Sequence, residues 1–161
     1  MPGHGVGWVP VLLAGLAIGL GALVHAGALT NPFVYDDRIS IIENPSIRGL
    51  SDLGGIIRHT PFRPLVNLSY ALDYAVWHLE PFGYHLTSLV LHLVNVALVF
   101  ALVYPLTGPD IDAGRRHRGT SGPLAVAFGT AALFAVHPMM TEAVGYVSGR
   151  SEVLGGTFLH A

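Results

Sequence analysis

Two adjacent carboxylates, Asp36 and Asp37, follow almost at once on an apolar stretch running from Trp8 to Leu29. A carboxylate pair just beyond a membrane-length apolar run sits where a lipid-borne substrate and water can both reach it. Such a pair can divide labour. One carboxylate accepts a proton from an attacking hydroxyl, and the other orients that hydroxyl or holds a divalent cation. The plain alternative is a solvated turn or a helix N-cap.

Arg63 and Arg150 are the next candidates, each placed near the end of an apolar or amphipathic segment. A guanidinium meets a phosphate with two parallel hydrogen bonds, which suits a diphosphate or phosphodiester leaving group. Anchoring to lipid headgroups is the alternative use. His137-Pro138, with Glu142 five residues after the histidine, and His85 make up a further polar cluster. The spacing is not HExxH, so no zinc-peptidase motif is present. His85, His92 and His137 could in principle share a metal ion, but without a signature, interior hydrogen bonding is the simpler use.

Composition sets the frame for these groups. The chain has 161 residues, of which 52% are hydrophobic and 11% charged, with a net charge of −2. Soluble domains carry about 25% charged residues, so the shortfall and the long apolar runs point to a membrane protein. The charge balance gives no footing for nucleic acid. All eight basic residues are Arg. Without Cys, disulfides, Cys-based zinc sites and thiol catalysis are excluded.

The elements that must position the candidates follow from hydropathy. Residues 8–29 would form a helix of roughly 33 Å, enough to cross a bilayer core. Trp8 suits the interface and Pro10 a first helical turn. Gly15 and Gly19 form a GxxxG pair that permits close packing. A signal peptide ending near Ala26-Gly27-Ala28 is the alternative, opposed by the length of the stretch and the absence of an N-terminal positive charge. Residues 31–62 are polar and turn-rich, an outer loop with one short helix near Leu50 to Arg58. Over 63–78, Leu65, Leu68, Leu72 and Val76 recur at helical spacing, but Asn67 and Asp73 make the segment too polar to span. It is expected to lie along the membrane surface.

A second spanning helix is expected over 82–106. His85, Ser88, His92 and Asn95 fall on one of its faces and should point into the bundle, because such groups are costly against lipid. A third span is expected over 123–140 and a partial fourth over 153–161. The chain stops inside that last apolar run, so it reads as the N-terminal part of a larger protein. The fold class is therefore an all-α, multispanning helical bundle. Arg115, Arg116 and Arg118 favour a cytoplasmic second loop by the positive-inside rule, although Arg38, Arg48, Arg58 and Arg63 crowd the first. Density rather than count puts Asp36-Asp37 outside.

Several short runs, in order, resemble a known family. They are Phe33-Val34-Tyr35-Asp36-Asp37, Asn44-Pro45, Phe62-Arg63-Pro64-Leu65 and Pro81-Phe82-Gly83-Tyr84-His85, with His92 one helical face on. Ala135-Val136-His137-Pro138, Thr141-Glu142-Ala143-Val144 and Ser148-Gly149-Arg150 follow. Together, over about residues 31–161, they resemble the membrane protein O-mannosyltransferases that join a multispanning half to C-terminal tetratricopeptide repeats. These belong to the C-type glycosyltransferases, which take a sugar from a polyprenyl-phosphate carrier. The resemblance implies that Asp36 and Asp37 are the catalytic acidic pair of the first outer loop. It implies that Arg63 and Arg150 bind the carrier phosphate, and that His137 and Glu142 belong to an outer-face motif.

The implied reaction is inverting transfer of mannose from a polyprenyl-phosphate donor to a hydroxyl of an acceptor protein, with Asp36 as general base. A tetratricopeptide-repeat domain is expected downstream. The Lys-free, Ala/Gly/Arg-rich composition points to a GC-rich bacterial genome, hence an inner membrane with the 31–62 loop outside the cytoplasm. The rivals are a transporter or flippase of lipid-linked sugars that uses His85, His92 and Asn95 as its path, and a non-catalytic scaffold for the repeats.

Overall fold

A computed structural model describes residues 7–107 and 121–160. Arg115, Arg116 and Arg118, which carry the orientation argument, lie outside the described residues. Among the described residues the chain is all helix, without strands. Helix α1 (Trp8–His25) runs on into a 3-10 turn, Ala26–Thr30. Short helical turns at Arg38–Ile42 and Pro45–Ile47 lead to α2 (Leu53–His59). Then come α3 (Pro64–Trp77), α4 (Pro81–Leu106), α5 (Ser121–Ala135), α6 (Met139–Gly145) and α7 (Arg150–His160).

Two helical stretches, Trp8–Thr30 and Pro81–Leu106, are long and apolar enough to cross a membrane. The protein is an integral membrane protein built on them. The expected third span, 123–140, is not one straight helix. α5 stops at Ala135, and α6 sets off at 57° to it. Pro138 supplies the reason: it has no N–H to donate, and it drives His137 out of helical geometry. The two pieces count as a third crossing only if the bent pair is one span. The expected fourth segment begins three residues early, at Arg150.

The bundle of α1, α4 and α5 closes on small residues. Ala127, Ala131 and Ala135 recur every four positions on α5 and are buried with Ala17, Val96, Val99 and Phe100. Gly15 and Gly19 do not make this contact; both face open space. The close approach uses Ala17 and Gly21, four residues apart on the next stripe. A Cβ on Gly21 would lie 3.1 Å from Leu93 Cδ2 and 3.4 Å from the Cβ of Ala135. Small residues let helices approach closely enough for dense packing where no hydrophobic force drives them together.

Helix α3 is turned polar side in. Asn67, Tyr70 and Asp73 are buried while Leu65, Leu72 and Val76 are exposed. Its apolar residues are thus left on the outside of the fold. Pro64 opens it at the first helical position, and His78 ends it with φ of 54°. Gly83 on α4 leaves room for the Trp77 ring, which any Cβ there would overlap. A second core seals the outer layer: Ile41, Ile47 and Ile56 from the loop and α2 pack with Tyr70, Tyr84 and Val147.

The placement of Gly21 gives a direct test. Gly21→Leu is expected to lower stability by about 1–3 kcal/mol through overpacking against Leu93 and Ala135. Gly19→Ala should leave it within about 0.5 kcal/mol, since nothing lies near that site. Thermal unfolding in detergent reads both.

Candidate active site

The turn that carries the acidic pair is fixed by its own backbone. Tyr35 takes a φ of 49°, uncommon for a residue with a side chain. The Asp37 N–H donates to the Val34 carbonyl at 3.0 Å, closing the turn. This geometry sends the two carboxylates in opposite directions. Asp36 is exposed and lines a cavity of about 580 Å³ between the 31–62 loop, α3 and the α6–α7 segment. Asp37 is fully buried. Its Oδ1 accepts from Ser148 N–H at 2.7 Å, and its Oδ2 from Val34 N–H at 3.2 Å.

Three of the residues singled out by sequence meet at this cavity: Asp36, Arg63 and Glu142. Arg63 stands at the N-terminal edge of α3, and Glu142 on α6. The 57° bend at Pro138 is what brings α6, and with it Glu142, to the wall. Sequence reasoning missed His59, at the end of α2, and Glu152, in the first turn of α7, which also line it. An isolated histidine after a short helix carries no signal. Glu152 was visible only as part of a polar stretch.

Four others lie elsewhere. Asp37 is too deep to orient an acceptor or hold a cation; both its oxygens are occupied by backbone N–H groups. Arg150 is buried at 0% exposure and does not line the cavity. It pairs with Asp73 at 2.6 Å, donates to Ser69 Oγ at 3.0 Å, to Ser88 Oγ at 3.2 Å and to the Tyr84 carbonyl at 2.7 Å. A guanidinium has five N–H donors, and this one has no open face for a phosphate. His85 is buried, with Nδ1 3.4 Å from the Val144 carbonyl. His137 is exposed, and its Nδ1 accepts from Met139 N–H at 3.3 Å.

The three histidines do not converge. His92 Nε2 lies 3.2 Å from the Ala135 carbonyl, and His25 reaches the same oxygen at 3.1 Å. Among the described residues no group of three or more His, Asp or Glu side chains is placed to hold a metal ion.

Beneath the cavity the environment is dry. Burial pushes the Tyr70 hydroxyl up to about 12, and that hydroxyl donates to the Val147 carbonyl at 2.9 Å. Burial likewise raises the Asp73 carboxyl, with the Arg150 guanidinium pulling against it. Asn44, Asn67 and Ser46 form a satisfied network: Asn44 Nδ2 donates to Asn67 Oδ1 at 2.8 Å, and Asn67 Nδ2 to Ser46 Oγ at 2.9 Å. The wall is thus buried and hydrogen-bonded below and polar above, with Asp36, Glu142 and Glu152 as carboxylates and Arg63 and His59 as basic groups. A carboxylate, a group able to accept a proton, and a guanidinium, a group able to bind an anion, line one cavity.

Comparison with known proteins bears on what this space does. Over 88% of its length the chain is 35% identical to the protein O-mannosyl-transferase Tmtc1 of Drosophila melanogaster. Over 94% it is 32% identical to human protein O-mannosyl-transferase TMTC1, and over 75% it is 36% identical to Drosophila Tmtc3. Its relatives are TMTC protein O-mannosyl-transferases. The chain spans only 15–17% of the length of these three proteins. No family model and no solved structure matches it.

The two carboxylates should separate in a stability measurement. Asp37→Ala strips acceptors from two N–H groups, one of them 111 residues away, and is expected to cost about 1.5–3 kcal/mol. Asp36→Asn, at an exposed site, should stay within about 0.5 kcal/mol. Equal losses in thermal unfolding would contradict the assigned geometry.

Proposed function

We propose that this chain is part of a TMTC-family protein O-mannosyltransferase of the C-type superfamily. Its reaction moves mannose from a polyprenyl-phosphate carrier to a hydroxyl of an acceptor protein. The observation that carries the reading is the shared cavity of Asp36, Arg63 and Glu142 in a chain with membrane-length helices whose relatives are named protein O-mannosyl-transferases.

The acceptor oxygen attacks the anomeric carbon, the bond from that carbon to the phosphate oxygen breaks, and the phosphate departs on its carrier. Asp36 takes the hydroxyl proton. Arg63 neutralises the charge that develops on the leaving phosphate, through paired N–H donors. Glu142 faces the same space, as does Glu152, and is a further carboxylate available to the acceptor. Asp37 acts from below, holding the Asp36 turn against Ser148. The 31–62 loop lies outside the cytoplasm of a bacterial inner membrane, and a repeat domain follows downstream.

A transport path along α4 finds no support in the geometry. His85, His92 and Asn95 are buried, and each faces a backbone carbonyl: Val144, Ala135 and Val153.

The test uses the full-length protein with a polyprenyl-phosphate-mannose donor. Asp36→Asn is expected to lower kcat by about 10²-fold or more; wild-type turnover would sink the base assignment. Arg63→Ala is expected to impair donor use more than acceptor use, and an unchanged donor KM and kcat would refute its role.

A further inference from the structure

Asp73 plays no part in the reaction above, yet it is the counterion of the most deeply buried cation among the described residues. Its side chain is 8% exposed and its Oδ2 lies 2.6 Å from Arg150 Nη1; Thr87 Oγ1 donates to its other oxygen at 2.7 Å. Arg150 in turn touches three elements. It donates to Ser69 on α3, to Ser88 and the Tyr84 carbonyl on α4, and it opens α7 itself. Its guanidinium also sits 4.9 Å from the centroid of the Tyr70 ring.

Both walls of the cavity hang from this point. Tyr70 lies two turns along α3 from Arg63, and the opposite wall, Ser148 to Glu152, brackets Arg150 in sequence. We propose that Asp73 and Arg150 are positioning residues whose buried ion pair clamps α3 to the 148–152 wall and so sets the spacing between Arg63 and the carboxylates across the cavity. The inference rests on the reaction proposed above for its catalytic meaning, but not for the clamp itself. It takes Arg150 out of the phosphate site and leaves Arg63 as the arginine that faces the cavity.

A buried pair behaves characteristically when cut. Removing one partner leaves an uncompensated charge and is strongly destabilising, whereas replacing both with apolar residues of similar volume is often close to neutral. The experiment is a double-mutant cycle on the full-length protein: Asp73→Leu, Arg150→Met and the two combined, read by thermal unfolding in detergent and by mannose transfer. Each single variant is expected to lower Tm by about 10 °C or more, and the double to recover most of that loss. If a single variant yields no folded protein, Asp73→Asn and Arg150→Lys stand in for it. A double variant no more stable than the worse single one overturns the clamp.

The activity arm separates positioning from ligand binding. The folded double variant is expected to keep transfer within about ten-fold of wild type, with a donor KM raised less than by Arg63→Ala. A folded double variant without transfer returns Arg150 to the substrate and overturns the positioning role. A wild-type protein without mannose transfer fails the proposed function instead, and the stability cycle still decides the clamp.

Discussion

A backbone carbonyl left without a partner in hydrocarbon costs several kcal/mol, and in a bilayer no water is at hand to take its hydrogen bond. The segment from Ala135 to Arg150 meets this constraint head on, because it breaks twice: at Pro138 and again at the turn Tyr146–Gly149. The polar stripe of α4 answers it. His92, with His25, closes on the Ala135 carbonyl at the end of α5; His85 faces the Val144 carbonyl; Ser88 takes Arg150. Asn95 donates to the Val153 carbonyl, and Gly156 leaves the room for it. The stripe is therefore the complement of the broken segment, and the break is what turns α6 toward the cavity.

Two cores with different chemistry meet at that level. Below, α1, α4 and α5 pack through small residues, among them Ala17, Ala127, Ala131 and Ala135, together with Val96, Val99 and Phe100. Above, the outer loop cannot gather enough apolar surface by itself, and three isoleucines share the work with Tyr70, Tyr84 and a buried amide network. Two charges sunk into this layer are held locally: Arg150 is paired with Asp73, and Asp37 accepts from two N–H groups. Asp36, Arg63 and Glu142, all exposed, line the cavity instead. Burial thus sorts structural from available charge.

The sequence carried the frame well where periodicity was strong. The α4 stripe, the helix beginning at Pro64 and the spanning length of the first segment all follow from spacing and hydropathy. It carried less where two arrangements share a pattern. Gly15 and Gly19 match a packing motif, but so does the pair Ala17 and Gly21, and only the position of α5 chooses between them. Pro138 breaks the helix, yet the apolar residues around it counted toward a continuous span over 123–140. Arg150 looked like a phosphate ligand because its partner lies 77 positions earlier, and Asp73 read merely as an interruption of an amphipathic helix.

Adjacent carboxylates pose the sharpest form of this difficulty. Nothing in the run Tyr35-Asp36-Asp37 tells one aspartate from the other; the distinction arises from a turn held by a left-handed Tyr35 and from a backbone N–H supplied by Ser148, far along the chain. A general base must keep its carboxylate accessible, but it also needs its backbone held still. One residue cannot easily do both, because the hydrogen bonds that immobilise a carboxylate occupy the lone pairs that would take the proton. Placing two in sequence resolves the conflict. Asp37 spends its oxygens on backbone donors, and the turn it locks leaves Asp36 lining the cavity, where the proposed reaction would have it take the proton.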